Sequence, residues 1–404
     1  MVFVDPITVL FGAGLIILLG FIGNYIFQKS MIPDILWLLI LGLLLGPILG
    51  LINSSLLVQF SPYFASLAIL IILFEGGLHT NLDVLIKESP ISIILAVFGL
   101  LISMLFVSIL MYIFFHWPIL NGLLLGSIIG GTSSPIVISL TQRLPIREKV
   151  KVWLNLESTI TDALCIIVAM VIAIFISKGG YSLSQVANNI LGSFSIGATL
   201  GLVVGILSLR IISRLKRKPF EYMVTLAILL ITYSVTQWVG GSGAIAALIF
   251  GVVLANGKRI SKIFKFDKAL IIDKEVERFH SEVSFLIRTF FFVYLGVITT
   301  FSSYYIILLG FCITLFLYFA RVISINLSTL NLDVSKEERD VMKFMIPRGL
   351  AAAVLSQLPL AYGIEHAQIY SDITLTVIIF SIIISSFGII FLKKNLEKIE
   401  KKKG

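Results

Sequence analysis

Apolar residues run along this chain in blocks of about twenty, the length an α-helix needs to cross the hydrocarbon core of a bilayer. About thirteen such blocks are legible, centred near residues 17, 42, 70, 103, 128, 163, 198, 229, 249, 289, 315, 350 and 381. The pattern predicts an all-α polytopic membrane protein with about thirteen transmembrane helices. Composition agrees: hydrophobic residues make up 58% of 404 positions and charged residues 13%, against about 25% charged in soluble domains. The first block, Ile7 to Phe27, follows Asp5 and has no basic segment before it. It reads as a retained helix, because a secretory signal carries a positive region and a small-residue cleavage site.

The connections between blocks alternate in charge. Those carrying Lys29, Lys87, Arg143 to Lys151, Arg210 to Lys218, Lys258 to Arg278 and Lys336 to Lys343, with the tail Lys393 to Lys403, are basic. The intervening ones hold a single Lys178. Of 31 Lys and Arg, 27 lie on the first side, and Arg288, Arg321 and Arg348 lie inside blocks. Cytoplasmic loops carry the basic excess, so the N-terminus is expected outside and the C-terminus in the cytoplasm. Topology accounts for the net charge of +9, and no nucleic-acid partner is needed. Cys165 and Cys312 both fall in apolar blocks, so neither a disulfide framework nor a metal-binding cysteine pattern is present. The loop Gly257 to Phe279 mixes apolar with charged residues and is expected as an amphipathic helix on the cytoplasmic surface. The tail Lys393 to Gly404 reads as a solvated end near anionic lipid.

Two blocks are interrupted. The fifth contains Gly130-Gly131-Thr132-Ser133-Ser134-Pro135, and the twelfth contains Pro347-Arg348-Gly349, followed by Gln357 and Pro359. Proline removes a helical donor and glycine weakens the turn. Irregular backbone at membrane depth survives only where protein buries it or it lines a cavity. Two such interrupted spans, one in each half, point to the midplane site of a secondary transporter. The stripes Gly42-Gly46-Gly50 and Gly197-Gly201-Gly205 read instead as close helix packing.

The most informative ionisable residue is Asp162, in the run Glu157-Ser158-Thr159-Ile160-Thr161-Asp162 of an otherwise apolar block. A carboxylate in mid-membrane costs about 2.5–3.5 kcal/mol and by default marks an ion or proton pathway. Desolvation penalises the bare carboxylate, and either a proton or a hard monovalent cation relieves the penalty. Competition between the two for one carboxylate is the core of cation/proton exchange. Oxygens of Thr132, Ser133, Ser158 and Thr161, with carbonyls freed by the fifth-block break, would complete the shell. Glu75, Arg288 and Arg348 also lie within blocks and need partners. Glu157 with Arg348 is the first expected ion pair.

In order along the chain, Leu73-Phe74-Glu75-Gly76-Gly77-Leu78, Glu157-Ser158 followed by Thr161-Asp162, Gly241-Ser242-Gly243-Ala244 through Ala255-Asn256, Phe291-Phe292-Val293-Tyr294-Leu295-Gly296 and Pro347-Arg348-Gly349-Leu350 resemble the NhaP-type sodium/proton antiporters. These belong to the monovalent cation/proton antiporter superfamily, and the resemblance covers nearly the whole chain. It implies an NhaA-like fold of inverted repeats with two crossed, partly unwound helices. It also implies a homodimer in the plasma membrane of a prokaryote, moving like an elevator. The dimerisation domain would comprise 1–80 and 219–300, the core 88–178 and 304–394, with 184–214 a linking helix and 395–404 a basic tail. By the same resemblance Asp162 binds the ion or proton, and Glu75, Ser158 and the fifth-block Thr help coordinate it. Glu157 and Arg348 form a salt bridge, and Arg288 stands where electrogenic relatives carry a titratable Lys, which implies one-for-one exchange.

Two departures from that pattern matter. Thr161 stands where the family usually has Asn, and Thr132-Ser133-Ser134-Pro135 lacks the carboxylate of the usual Thr-Asp-Pro. Either Thr132 or Ser133 takes the ligand role. Kef-type potassium/proton relatives share both departures, so the expected function is exchange of sodium or lithium for protons, with potassium as the alternative cargo and no cofactor. An organic-anion carrier would want cationic or amide ligands at the breaks, and only Arg348 speaks for it. An intramembrane enzyme is disfavoured, since His79, His116, His280 and His366 fall near loops on different sides and no His-Glu-x-x-His occurs.

Overall fold

In hydrocarbon a backbone must satisfy its N–H and C=O groups internally, and the apolar blocks accordingly form helices. The structure, a computed structural model, describes residues 6–30, 32–52, 54–80, 82–177, 183–215, 221–264, 274–299, 304–330 and 332–403. In chain order the helices are α1 (Pro6–Ser30), α2 (Asp34–Leu43, extended by a π-helical turn Leu44–Ile48), α3 (Ser54–Leu78), α4 (Leu82–Phe115), α5 (Ile119–Ile129), α6 (Ser134–Thr141) and α7 (Glu148–Ser177). There follow α8 (Leu183–Leu215), α9 (Glu221–Trp238), α10 (Gly243–Ala255), α11 (Gly257–Ile263) and α12 (Lys274–Ile298). The last are α13 (Tyr304–Ser328), α14 (Lys336–Phe344), α15 (Leu350–Leu355), α16 (Leu358–Ala361) and α17 (Ala367–Lys403). Each expected block centre falls in one of these helices. Among the described residues, seven helices are long and apolar enough to cross a membrane, or nine if each of two bent pairs is one span. Shorter apolar helices cover Asp34–Ile48, Tyr63–Leu78, Tyr222–Trp238 and Leu350–Ala361. The chain is therefore a multi-span membrane protein.

Both interruptions read from sequence are breaks in the helices. α5 and α6 meet at 41° across residues 130–133, and residues 345–349 are non-helical between α14 and α15. A bend of 84° separates α10 from α11. The loop expected as one amphipathic helix contains α11 and the start of α12, and its residues 265–273 lie outside the described ones. The tail continues α17 as helix to Lys403.

The chain divides into two compact units. One comprises Met1–Phe64, Pro90–Ala173 and Arg288–Gly404, the other Ala65–Ser89 and Ile174–Ile287. In the first, Gly42 and Gly46 of α2 face Val293, Gly296 and Val297 of α12, where a Cβ at Gly46 would lie 2.6 Å from the Val297 carbonyl oxygen. Only a bare Cα allows that approach. In the second, Gly197 and Gly201 of α8 meet the backbone of Ser242 and Ala246 at α10, and Gly205 meets Val253. Both glycine stripes thus serve packing, although Gly50, with φ +63°, ends the first stripe in open space.

The second unit also holds the sharp bend. Asn256 accepts from the Leu82 N–H at 2.9 Å and donates to the carbonyls of Thr80 and Val252 at 2.8 Å each. Its amide satisfies backbone groups of the α3–α4 connection that hydrocarbon would leave unpaired.

Candidate functional site

The first unit brings the two breaks together. The Ser133 N–H donates to the Pro347 carbonyl at 2.8 Å, so each irregular segment satisfies a backbone group of the other. Gly349 lies on the Ser133 side chain so closely that a Cβ there would meet Ser133 Cβ at 2.7 Å. Glycine is required at that point for steric reasons.

Asp162 of α7 faces the fifth-block break. Ser134 opens α6, with Pro135 in its first turn, and both its groups are bonded to one carboxylate oxygen. Its hydroxyl donates to Asp162 Oδ2, and its N–H, unpaired within the helix, donates to the same atom at 3.3 Å. One turn earlier on α7, Thr161 Oγ1 accepts from the Thr132 N–H at 3.4 Å and lies 3.5 Å from the Thr132 hydroxyl. Asp162 is half-buried, while Thr132, Ser133 and Thr161 are buried. A small cavity is lined by Asp162, Thr132, Ser133, Cys165, Gly349 and Ala351, with room for about one water-sized group. A carboxylate, two hydroxyls and the backbone of two breaks therefore border one space that a dehydrated monovalent cation would fit.

Ser158 and Glu75 have partners of their own. Ser158 is fully buried and donates to the Asn155 carbonyl at 3.0 Å. Glu75 belongs to the second unit. There it accepts from the Ser284 hydroxyl of α12 and lies 3.8 Å from His79 Nε2. His280, one turn before Ser284, is buried edge-on against Phe74, ring centroids 4.8 Å apart.

The expected Glu157–Arg348 pair is corrected by the structure. Glu157 pairs with Arg321 of α13, whose Nη1 donates to Oε1 and whose Nη2 donates to Oε2 at 2.8 Å. Arg321 Nε also donates to the Met342 carbonyl at 3.0 Å. The contact is a planar two-point fit. Arg348 is held differently: its N–H donates to Ser381 Oγ at 3.0 Å, and its side chain borders a second small cavity with Glu157, Arg321, Thr132, Thr161 and Ser103. Both members of the Glu157–Arg321 pair are buried, and breaking such a pair costs about 3–5 kcal/mol.

Arg288 has a carboxylate partner in Asp34, at 3.5 Å. Asp34 opens α2 and is 4% exposed, with its Oδ1 accepting from the Ile35 N–H at 3.1 Å. Sequence reasoning missed three residues here. Ser134 was visible as the hydroxyl just before a helix-opening proline, Arg321 as one of three in-block arginines, and Asp34 as an acid opening an apolar block after Pro33.

Outside the membrane spans, Arg147 in the α6–α7 connection is clamped by the segment that leads into α14. Its Nε and Nη2 donate to Glu338 at 2.8 and 2.6 Å, and its Nη1 and Nη2 reach Asp333 Oδ2 and the Asp333 carbonyl at 3.1 and 2.7 Å. Glu338 also closes a capping box with Ser335. Burial pushes the Glu338 carboxyl up most strongly of any single influence, yet hydrogen bonds from Arg147 and Ser335 together hold it below its ordinary value. The hydrogen bonds and charges of Glu338 and Asp333 raise Arg147.

Comparison with known proteins places the chain in a family. The chain is 27% identical over 382 residues to the probable Na(+)/H(+) antiporter 2 of Methanocaldococcus jannaschii, covering 91% of this chain and 86% of that protein. It is 25% identical over 328 residues to the K(+)/H(+) antiporter NhaP2 of Shewanella baltica, covering 79% of this chain but only 55% of that longer protein. The fold matches that of the sodium proton antiporter MjNhaP1 from Methanocaldococcus jannaschii at pH 8 with a TM-score of 0.79, at 23% identity, over 95% of this chain and all of that one. Residues 14–394 match the family described as sodium/hydrogen exchanger, transmembrane. This chain belongs to the sodium/hydrogen exchanger family and is a transporter, not an enzyme.

Proposed function

We propose that the chain exchanges sodium or lithium for protons, one for one, at Asp162. The observation that carries the reading is the half-buried Asp162 carboxylate facing the hydroxyls of a broken helix across a cavity of ionic size. On one side of the membrane the protonated carboxyl releases its proton and takes a sodium ion into the same space. On the other side the ion leaves and a proton returns. Ser134 orients the carboxylate, and Thr132, Ser133 and Thr161 supply oxygens near it. In this reading Glu75 joins the shell at one stage of the cycle.

The reading extends to the whole molecule as thirteen spans, N-terminus outside and C-terminus in the cytoplasm, supported by the charge alternation of the connections. It includes two crossed, partly unwound helices in a core of 88–178 and 304–394. That core moves like an elevator against a dimerisation domain of 1–80 and 219–300 in a homodimer of the plasma membrane. The alternative cargo is potassium, favoured by Ser133, which puts a hydroxyl where a carboxylate would add negative charge, and by the similarity to the K(+)/H(+) antiporter NhaP2 of Shewanella baltica.

The test uses purified protein in proteoliposomes with an acidic lumen reported by a pH-sensitive dye. Sodium or lithium is expected to dequench the dye, and Asp162→Asn to abolish the response. Dequenching by potassium alone would reassign the cargo. Exchange retained in Asp162→Asn would sink the reading.

A further inference from the structure

The cavity behind the Asp162 site carries an excess of positive charge. Glu157, Arg321 and Arg348 border it, and the single carboxylate is already engaged at both oxygens by Arg321. Arg348 is 3% exposed, and its Nε has no hydrogen-bond acceptor among the described residues. Two arginines against one glutamate leave one unit of charge uncompensated in a region hydrocarbon would otherwise fill. A further carboxylate, Asp162, borders the neighbouring cavity. On the exchange reading above, on which this step rests, Asp162 carries a proton or a cation through the conformational change. Its charge then cannot serve Arg348.

Buried charges are retained only when paired or hydrogen-bonded. The second cavity has room for about one water-sized group, and the hydroxyls of Ser103 and Thr132 border it beside the guanidinium. We infer that this cavity is a binding site for a small monovalent anion of the halide class, held by Arg348 and the surrounding hydroxyls. The anion neutralises the arginine cluster, so that the loaded and protonated forms of the site both present no net charge. Guanidinium suits the task because it is weakly hydrated and directs several donors from one plane.

The experiment is thermal unfolding of the purified full-length protein in detergent, followed by intrinsic fluorescence, with chloride titrated against gluconate at constant sodium and ionic strength. Wild type is expected to show a saturable rise in Tm of a few degrees, because a ligand that binds only the folded state stabilises it. Bromide should reproduce the rise and give an anomalous scattering peak beside Arg348 in crystals. Arg348→Gln should lose the chloride dependence. Should that variant fail to fold, Ser103→Asp carries the test, since Ser103 borders the same cavity as Arg348 and a carboxylate there supplies the missing negative charge internally. Its Tm should be indifferent to chloride. A wild-type Tm equal in chloride and gluconate, with no bromide peak, would mean that water fills the cavity and would overturn the inference. No gradient or transport enters this measurement, so a chloride response without sodium/proton exchange would refute the transport reading alone.

Discussion

At the scale of single residues, the site depends on how one carboxylate is held. Asp162 is bonded through one oxygen to both the N–H and the hydroxyl of Ser134, and it borders one small cavity together with Thr132 and Ser133. Ser134 is thus a positioning residue. Hydrogen bonds to charged groups contribute about 1.5–3 kcal/mol, so Ser134→Ala is expected to raise the apparent KM for sodium about tenfold or more. The maximal dequenching rate should fall less, because the carboxylate itself remains. The measurement is a sodium titration of dye dequenching in proteoliposomes at fixed pH. An unchanged KM would show that Ser134 only opens α6. A second lesson of this scale concerns Glu157. Its partner lies 164 residues away in α13, and three in-span arginines of equal chemistry competed for it. Nothing in the local sequence around Arg321 or Arg348 ranks them. The choice is made by three-dimensional placement, with Arg321 able to present both Nη atoms to one carboxylate.

At the scale of elements, the breaks were legible because their causes are local. Gly130, Gly131 and Pro135 weaken one span and Pro347 with Gly349 the other, and both breaks occur where those residues stand. Their mutual bond, Ser133 N–H to the Pro347 carbonyl, was not legible, since it joins segments more than two hundred residues apart. The 84° bend after α10 was missed for a related reason: Asn256, which tethers it, acts on the α3–α4 connection. The clamp between the α6–α7 connection and the entry to α14 is likewise long-range, and it makes a prediction at this scale. Glu338 is held below its ordinary value of 4.5, so its folded form binds its proton less readily than the unfolded form. Its contribution to stability is fully present above pH 4.5 and is lost as pH falls through the lower folded value. Glu338→Gln is therefore expected to have a lower Tm than wild type at neutral pH. The gap should narrow on acidification below about pH 4.5, as read by fluorescence-detected unfolding in a pH series. A gap that stays constant to the acid limit would show that Glu338 acts through its capping box alone.

At the scale of the whole molecule, the apolar blocks were the most legible feature, because membrane burial imposes one requirement on every span. Ion pairing between spans was the least legible, and the pair formed by Arg288 and Asp34 shows its consequence. A guanidinium keeps its charge at any physiological pH, and with Asp34 at 3.5 Å it stays in place as a fixed counter-charge. On the exchange reading proposed above, the guanidinium does not release a proton during the cycle, and Asp162 is the group that trades a proton for the cation. Exchange should then move no net charge. Proteoliposomes adsorbed on a solid-supported membrane, given a sodium concentration jump, are expected to show dye dequenching with no sustained current. A sustained current that scales with the dequenching rate across a pH series would require a second proton per ion, and the pair at α2 and α12 would then have to take part in transport.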